Sequence, residues 1–437
     1  MIVMKFGGTS VGSPERIQQV YEIVCAQRVR RPIVVVSAVG GVTDLLVKAG
    51  ANALNKHVDI RAIREKHYGV LEGLGLEKVI ADPLLKELED LLLGIKMIRE
   101  ISPRISDLLL SFGERISCQI VAAYFLQQGT LSKHHFAFDI GMKTTNTFQE
   151  AEPLPEAFKA IGKHLKDLNY IPIITGFIGK TEEGEIATLG RGGSDYTAAI
   201  IGASVQAEEI QIWTDVDGIL TTDPRVVPSA FNVPEVSFKE AAELSYFGAK
   251  VLHPKTIRPA MEQNIPVVVK NTGNQSHPGT RILPQVKIHD RAVKAISVKK
   301  NVTLVNIYSL RMLLAHGFLA RIFRIFETYE VVVDVVSTSE VSVSVTVDKP
   351  KNLPKVVEEL SEFAQVREEN HKAILCVVGE GLHADQSVSG RALSTLAKHK
   401  IPVNMVSLGA SDINLSMVID QDQSSGAIVA LHEEFFG

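Results

Sequence analysis

Only three of the 437 residues are cysteine (Cys25, Cys118 and Cys376), and they are scattered. So few thiols cannot build a disulfide framework or a thiolate metal cluster, and their scarcity fits a reducing cytosol. Nowhere do 18 apolar residues run together, which excludes a membrane-spanning helix. The chain passes from Met1 straight into Ile-Val-Met-Lys-Phe, without the basic and apolar regions of a secretory leader, so a leader is not expected. Neither charge sign dominates. Lys plus Arg number 46 and Asp plus Glu 50, a net −4, which offers no basic field to nucleic acid or a membrane surface. The 13 histidines show no ligand spacing, so neither histidine-based nucleophilic chemistry nor a protein-held metal is expected. What remains is 45% apolar and 22% charged, ordinary for a globular chain of about three domains. A cytoplasmic enzyme is expected.

The first 280 or so residues alternate short apolar runs with helical patterns. Ile2–Phe6, Pro32–Val36, Pro172–Gly176, Ile210–Trp213 and Ile265–Val269 read as strands, the second apolar throughout as a strand buried on both faces is. Ser13 caps a helix whose first residue is Pro14. This alternation predicts an α/β unit with a largely parallel sheet and helices on both faces. Asn271–Pro284, rich in Gly, Pro, Ser and Thr, reads as a linker.

Beyond it lies an internal repeat. Val333-Asp334-Val335-Val336-Ser337 matches Val403-Asn404-Met405-Val406-Ser407, and Val341–Val345 matches Ile413–Met417. Both copies alternate apolar and polar residues, as half-buried antiparallel strands do. A helix precedes each copy (Gly317–Tyr329 and Gly390–Lys398) and another follows (Leu353–Phe363 and Ser425–Phe435). Two βαββαβ units of about 70 residues each are expected.

Three segments carry candidate chemistry. Lys5-Phe6-Gly7-Gly8-Thr9-Ser10 ends the first strand, where open α/β sheets bind ligands, and paired glycines let backbone N–H groups approach a phosphate. The plainer reading is a tight turn with a solvated lysine. Gly190-Arg191-Gly192-Gly193-Ser194-Asp195-Tyr196-Thr197 precedes an alanine-rich helix, whose N-terminus suits an anion. Asp195 alone is explicable as a cap, but a cap needs neither three glycines nor an arginine. Trp213-Thr214-Asp215-Val216-Asp217-Gly218-Ile219 ends a strand and leads into Thr221-Thr222-Asp223-Pro224-Arg225, a set suited to a ribose and phosphates. Ser111-Phe112-Gly113-Glu114-Arg115 lies in a helix, and reads most simply as a surface charge pair. Gly176–Thr181 ends in Gly-Lys-Thr, but its first glycine stands two residues too close for a P-loop. Asp195 stands where a dinucleotide fingerprint needs its third glycine.

Together these motifs, with Phe247-Gly248-Ala249-Lys250-Val251-Leu252-His253-Pro254, resemble the aspartate kinases of the amino-acid kinase superfamily. The resemblance spans nearly the whole chain, and the tandem repeat is similar to paired ACT regulatory domains. It implies an amino-acid kinase domain over 1–284 and ferredoxin-like ACT domains over 285–365 and 366–437. The implied reaction is transfer of the ATP γ-phosphoryl group, with Mg²⁺, to the side-chain carboxylate of L-aspartate. That step gives 4-phospho-L-aspartate and opens the lysine, threonine, methionine and diaminopimelate pathway. An acceptor carboxylate is already ionised at neutral pH and needs no general base, which agrees with the absence of a histidine constellation. At this length a fused dehydrogenase is not expected. The alternatives are a kinase for glutamate or a related carboxylate, and a non-catalytic amino-acid sensor; Lys5, Arg191 and Asp195 argue against the sensor.

Carried over by motif, Lys5 stabilises the transferring phosphoryl group, and Asp195 orients it. Arg191 clamps the substrate α-carboxylate and Glu114 meets its ammonium, while Thr43, Phe177, Gly192, Gly193 and Ser194 complete that pocket. Gly7, Gly8, Thr214, Asp215, Asp223, Arg225, Lys250 and Val251 match the nucleotide side. Leu220 stands where many relatives have tyrosine, removing a hydroxyl contact to the nucleotide. Feedback by lysine is expected at Met312, Phe318, Leu319, Val333, Asp334, Thr338, Ser339 and Glu340. There the two acids suit ammonium groups, and the Gly317 helix start suits a carboxylate. Leu314, Ala315 and Val332 replace polar residues of lysine-sensitive relatives, so weaker inhibition is expected. A homodimer or higher homo-oligomer through the ACT domains completes the expectation.

Overall fold

The computed structural model describes residues 1–437 apart from 248–251, 287–291, 314, 349, 383–384, 386 and 409–412. The chain forms two compact units. The first comprises Met1–Ile219, Pro234–Phe238 and Val251–Gln285; the second comprises Leu220–Val233, Lys239–Lys250 and Val286–Gly437. Two short segments of the expected first domain thus pack with the C-terminal residues. Among the described residues no helix is long and apolar enough to cross a membrane.

In the first unit the strands are β1 (Ile2–Phe6), β2 (Pro32–Val36), β3 (Ser132–His135), β4 (Ile171–Thr175), β5 (Ile178–Lys180), β6 (Ile186–Thr188), β7 (Glu209–Thr214), β8 (Glu235–Ser237), β9 (Val267–Asn271) and β10 (Thr280–Leu283). Eight of them form one sheet in the order β3-β4-β2-β1-β7-β9-β10-β8, parallel except where β9 meets β10; β5 and β6 make a separate hairpin. Every residue of β1, β2 and β4 is buried, because helices cover both faces. Those helices are α1 (Pro14–Ala26), α2 (Val42–Leu54), α3 (Arg61–Gly73), α4 (Asp82–Ile98), α5 (Pro103–Gln127), α6 (Pro155–Leu165) and α7 (Gly193–Val205), with Pro254–Glu262 packed on α7. Ser13 does cap α1, accepting the N–H of Arg16, with Pro14 at the first position. One face of β1 (Ile2, Met4, Phe6) joins Ile17, Leu46, Leu88, Phe112 and Ile116 in a continuous apolar core.

The expected linker is not one. Residues 280–283 are β10, antiparallel to β9 and parallel to β8, with Thr280 and Ile282 fully buried and Arg281 outward. A polar, glycine-rich approach hid a four-residue strand with period-2 burial.

The second unit holds β11 (Ala295–Tyr308), β12 (Val333–Thr338), β13 (Ser342–Val347), β14 (Gln365–Val378), β15 (Met405–Leu408) and β16 (Asn414–Asp420), in one sheet ordered β12-β13-β11-β14-β16-β15. Helices Phe318–Thr328, Leu353–Ser361, Ser387–Lys398 and Ser424–Phe436 complete two ferredoxin-like copies. The two copies are intertwined. β11 and β14 are each 14 residues long and serve both copies: Thr303–Tyr308 pairs with β13, while Ala295–Lys299 pairs with Lys299's partner Ile374 through Val378. The second copy therefore takes its final strand from upstream of the first. Each copy has its own core, Ile322, Phe326 and Val343 in one, Leu375, Leu396 and Ile428 in the other.

Candidate active site

Because β1, β2, β4 and β7 run parallel, their carboxyl ends share one edge of the first unit's sheet, and a cleft of about 530 Å³ opens there. The first strand delivers Lys5, whose Nζ lies 2.6 Å from Asp195 Oδ1 in the first turn of α7. Both side chains are largely withdrawn from solvent, so neighbouring water screens the pair little. The loops after β1 and β2 touch backbone to backbone. A Cβ on Gly8 would stand 3.0 Å from the Ala38 carbonyl, and one on Gly40 3.1 Å from that of Gly8. Side chains at either position would push the two loops apart, so the glycines keep the floor of the cleft closed.

The glycine-rich segment forms the opposite wall. Gly190 and Gly192 have φ of +76° and +70°, and Gly192 is the N-cap of α7. A Cβ on Gly193 would come within 2.6 Å of the Phe177 ring, so the glycine lets that ring lie against the start of the helix. Phe177 itself has φ of +71°, held by its N–H donating to Thr197 Oγ1 at 3.0 Å. Arg191 is exposed at the cleft and has no carboxylate partner among the described residues. The α7 N-terminus and Arg191 together favour an anion there.

From α5 come Leu110 and Glu114. Burial pushes the Glu114 carboxyl up to about 8, against hydrogen bonding from backbone N–H groups and attraction to Lys5. The neighbouring Arg115 turns away. Its Nη1 and Nη2 donate to Glu87 at 3.1 and 2.8 Å, and its guanidinium sits over the rings of Phe112 and Phe136. The expected surface charge pair is thus two buried groups with separate tasks.

The cleft brings together Lys5, Gly8, Thr43, Glu114, Phe177, Arg191, Gly192, Gly193, Ser194 and Asp195. Gly7 lies just outside its lining and donates its N–H to the Trp213 carbonyl at 3.1 Å, which sets Thr214 and Asp215 beside the glycine pair. Asp223 and Arg225 belong to the second unit and grip each other, Nη2 to Oδ2 at 2.7 Å. Lys250 and Val251 lie outside the described residues, as does Leu314. Asp334 is almost wholly enclosed, accepting from Lys299 Nζ at 2.9 Å and from the Tyr246 hydroxyl. Phe318 starts a helix with a bare glycine N-cap, Gly317, at φ +81°, and Leu319 and Glu340 are exposed. Met312 ends a short helical turn, Val333–Thr338 is β12, and Ser339 opens the turn to β13.

Sequence reasoning missed Ser37, Val39, Gln149 and Thr188 in the lining, and Asp107 behind it. The signal for the first two was available, since they follow β2 at its carboxyl end. For Asp107 it was the spacing of seven residues from Glu114, which puts both on one face of α5.

The amino acid kinase family matches residues 1–271 and the ACT domain residues 375–435. Aspartokinase 1 of Arabidopsis thaliana is 41% identical over 99% of this chain and 80% of its own. Lysine-sensitive aspartokinase 3 of Escherichia coli is 35% identical over 100% of this chain and 99% of its own. Among solved structures, Escherichia coli aspartokinase III with aspartate and ADP superposes with a TM-score of 0.86 at 33% identity, all of both chains covered. The same enzyme with lysine and aspartate gives 0.80 at 32% identity, again over both whole chains. Matched along its whole length by such relatives, and with its lysine, arginine and glycine-rich loop gathered in one cleft, this chain belongs to the amino acid kinase family and, within it, to the aspartokinases.

Proposed function

We propose that the cleft transfers the γ-phosphoryl group of ATP, carried with Mg²⁺, to the side-chain carboxylate of L-aspartate, with Lys5 and Asp195 at the reacting end. The observation that carries this reading is the enclosed Lys5–Asp195 pair, 2.6 Å apart at the edge where the strands end. An ionised carboxylate and a polyphosphate repel each other, so the work of the site is positioning and charge neutralisation. Lys5 supplies positive charge to the transferring group; Asp195 holds the ammonium in place. Arg191 takes the α-carboxylate in a bidentate grip, which leaves the side-chain carboxylate facing Lys5. Glu114, once ionised, takes the ammonium. Thr43, Phe177, Ser194 and the Gly192–Gly193 backbone shape the remaining wall. Gly7, Gly8, Thr214 and Asp215 form the nucleotide side, to which we also assign Asp223, Arg225, Lys250 and Val251.

The functional division we propose is a kinase domain to about residue 284, then ACT domains over 285–365 and 366–437. Lysine is the proposed feedback effector at Met312, Phe318, Leu319, Val333, Asp334, Thr338, Ser339 and Glu340. The lysine complex of the Escherichia coli relative supports this choice. Exposed Leu310, Leu319 and Val332 in the second unit support assembly of at least two copies there. Three unpaired cysteines agree with a cytoplasmic location. A coupled ADP-release assay with aspartate, glutamate and N-acetylglutamate tests the reaction. Aspartate alone should support turnover; preference for either other acceptor overturns the substrate assignment.

A further inference from the structure

We propose that Asp107 is a positioning residue for the substrate clamp, holding the wall that carries Arg191 in register with Glu114. The inference rests on the reading of Arg191 as the partner of the aspartate α-carboxylate. Asp107 is completely buried on α5, and no sequence motif marks it. Its Oδ2 accepts the backbone N–H of Gln149 at 2.8 Å and of Thr188 at 2.7 Å, and its Oδ1 accepts the Thr188 hydroxyl at 2.9 Å. Gln149 and Thr188 both line the cleft, and they arrive from segments 42 and 81 residues away in sequence.

These bonds clamp one segment onto the other. The Ala151 N–H donates to the Thr188 carbonyl at 2.9 Å, and a Cβ on Gly190 would stand 2.9 Å from the Gln149 carbonyl. Gln149 is held at φ +71°, a conformation that surrounding bonds must maintain in a residue with a side chain. Arg191 follows Gly190 directly. The face of α5 that presents Glu114 presents Asp107 two turns earlier. Both ends of a bound amino acid are therefore referenced to one rigid helix, the ammonium side by Glu114 itself and the carboxylate side through Asp107 and the loop it anchors.

Asp107→Asn is nearly isosteric but neutral: its amide oxygen can serve both N–H donors only if its NH₂ replaces Oδ1 against the Thr188 hydroxyl, so the ionic acceptor of all three bonds is lost. It should raise the KM for aspartate roughly tenfold to a hundredfold while the KM for ATP stays within about twofold. Added to Arg191→Ala, it should raise the aspartate KM no further, because the loop it aligns no longer carries the clamp. A merely structural role would lower Tm and active fraction but move both KM values together or neither, and that result overturns the proposal. If Arg191→Ala by itself leaves the aspartate KM unchanged, the clamp reading fails instead. Should Asp107→Asn not fold, Thr188→Val removes only the hydroxyl bond, and the same one-sided rise in aspartate KM, smaller in size, is required; equal or absent shifts overturn the proposal.

Discussion

Lys299 Nζ lies 2.9 Å from each carboxylate oxygen of Asp334, with the Tyr246 ring 4.8 Å beneath the ammonium and Asp348 3.1 Å away. An ammonium of the chain itself thus occupies the carboxylate assigned to an effector ammonium. The second copy repeats the device: Lys372 Nζ reaches Asn404, the counterpart of Asp334, at 3.2 Å, and Asp420 at 2.7 Å.

Lysine acting at Asp334 must displace or share Lys299. Lys299→Met, which leaves the enclosed carboxylate short of a countercharge, should lower the lysine concentration for half-inhibition about tenfold, and Asp334→Ala should abolish inhibition. Inhibition curves over micromolar to millimolar lysine check both. An unchanged curve in Lys299→Met would place the effector ammonium elsewhere.

Lys5→Ala removes one positive group at the reacting end, and kcat should fall roughly 10²–10³-fold. Circular dichroism should stay native, since the surrounding strand is held by its sheet partners β2 and β7. Near-normal turnover in folded protein would remove Lys5 from the mechanism.

With Glu114 as the proposed partner of the substrate ammonium, aspartate binding should be proton-linked. Its carboxyl, raised by burial from 4.5 to about 8, is neutral in the free enzyme at pH 7, and it must lose a proton to meet an ammonium. Aspartate binding should release up to one proton at pH 7, and aspartate affinity should rise as pH climbs toward 8, then level. Calorimetry in buffers of different protonation enthalpy measures the release, which Glu114→Gln should abolish. For folding the sign follows from the raised value: the contribution of Glu114 to stability is full below about pH 4.5 and is lost as pH rises through about 8.

Two histidines slope the other way. Burial pushes His67 and His135 down to about 4, so both are neutral in the folded protein. The unfolded chain takes up their protons near pH 6.5, so their contribution is complete above that value and is lost as pH falls toward 4. His67 Nδ1 lies 2.8 Å from the Ile63 carbonyl and its Nε2 has no partner among the described residues. In thermal unfolding, His67→Leu should flatten the acid limb between pH 6.5 and 4; an unchanged limb would mean that other groups drive acid unfolding.

The sequence by itself determined the elements whose signals are local. A cap and proline mark α1, an all-apolar run marks β2, largely apolar runs mark β1 and β4, and glycines stand where φ is positive at Gly190 and Gly192. It also singled out Lys5 and the glycine-rich segment as candidates for chemistry, because lysine, arginine and paired glycines at strand and helix ends have few structural uses. Tertiary structure alone decided which long-range partners those residues meet. The Lys5–Asp195 pair joins residues 190 positions apart, and no local pattern encodes it. Glu114 and Arg115 are neighbours in sequence, yet a helix turns adjacent residues about 100° apart, so one faces the cleft and the other Glu87. The sharing of β11 and β14 between two copies depends on pairing across some 70 residues, where strand order is set by which edges find apolar cover. The seven-residue spacing from Glu114 places Asp107 on the same face of α5, but its three donors are partners that only folding brings to it.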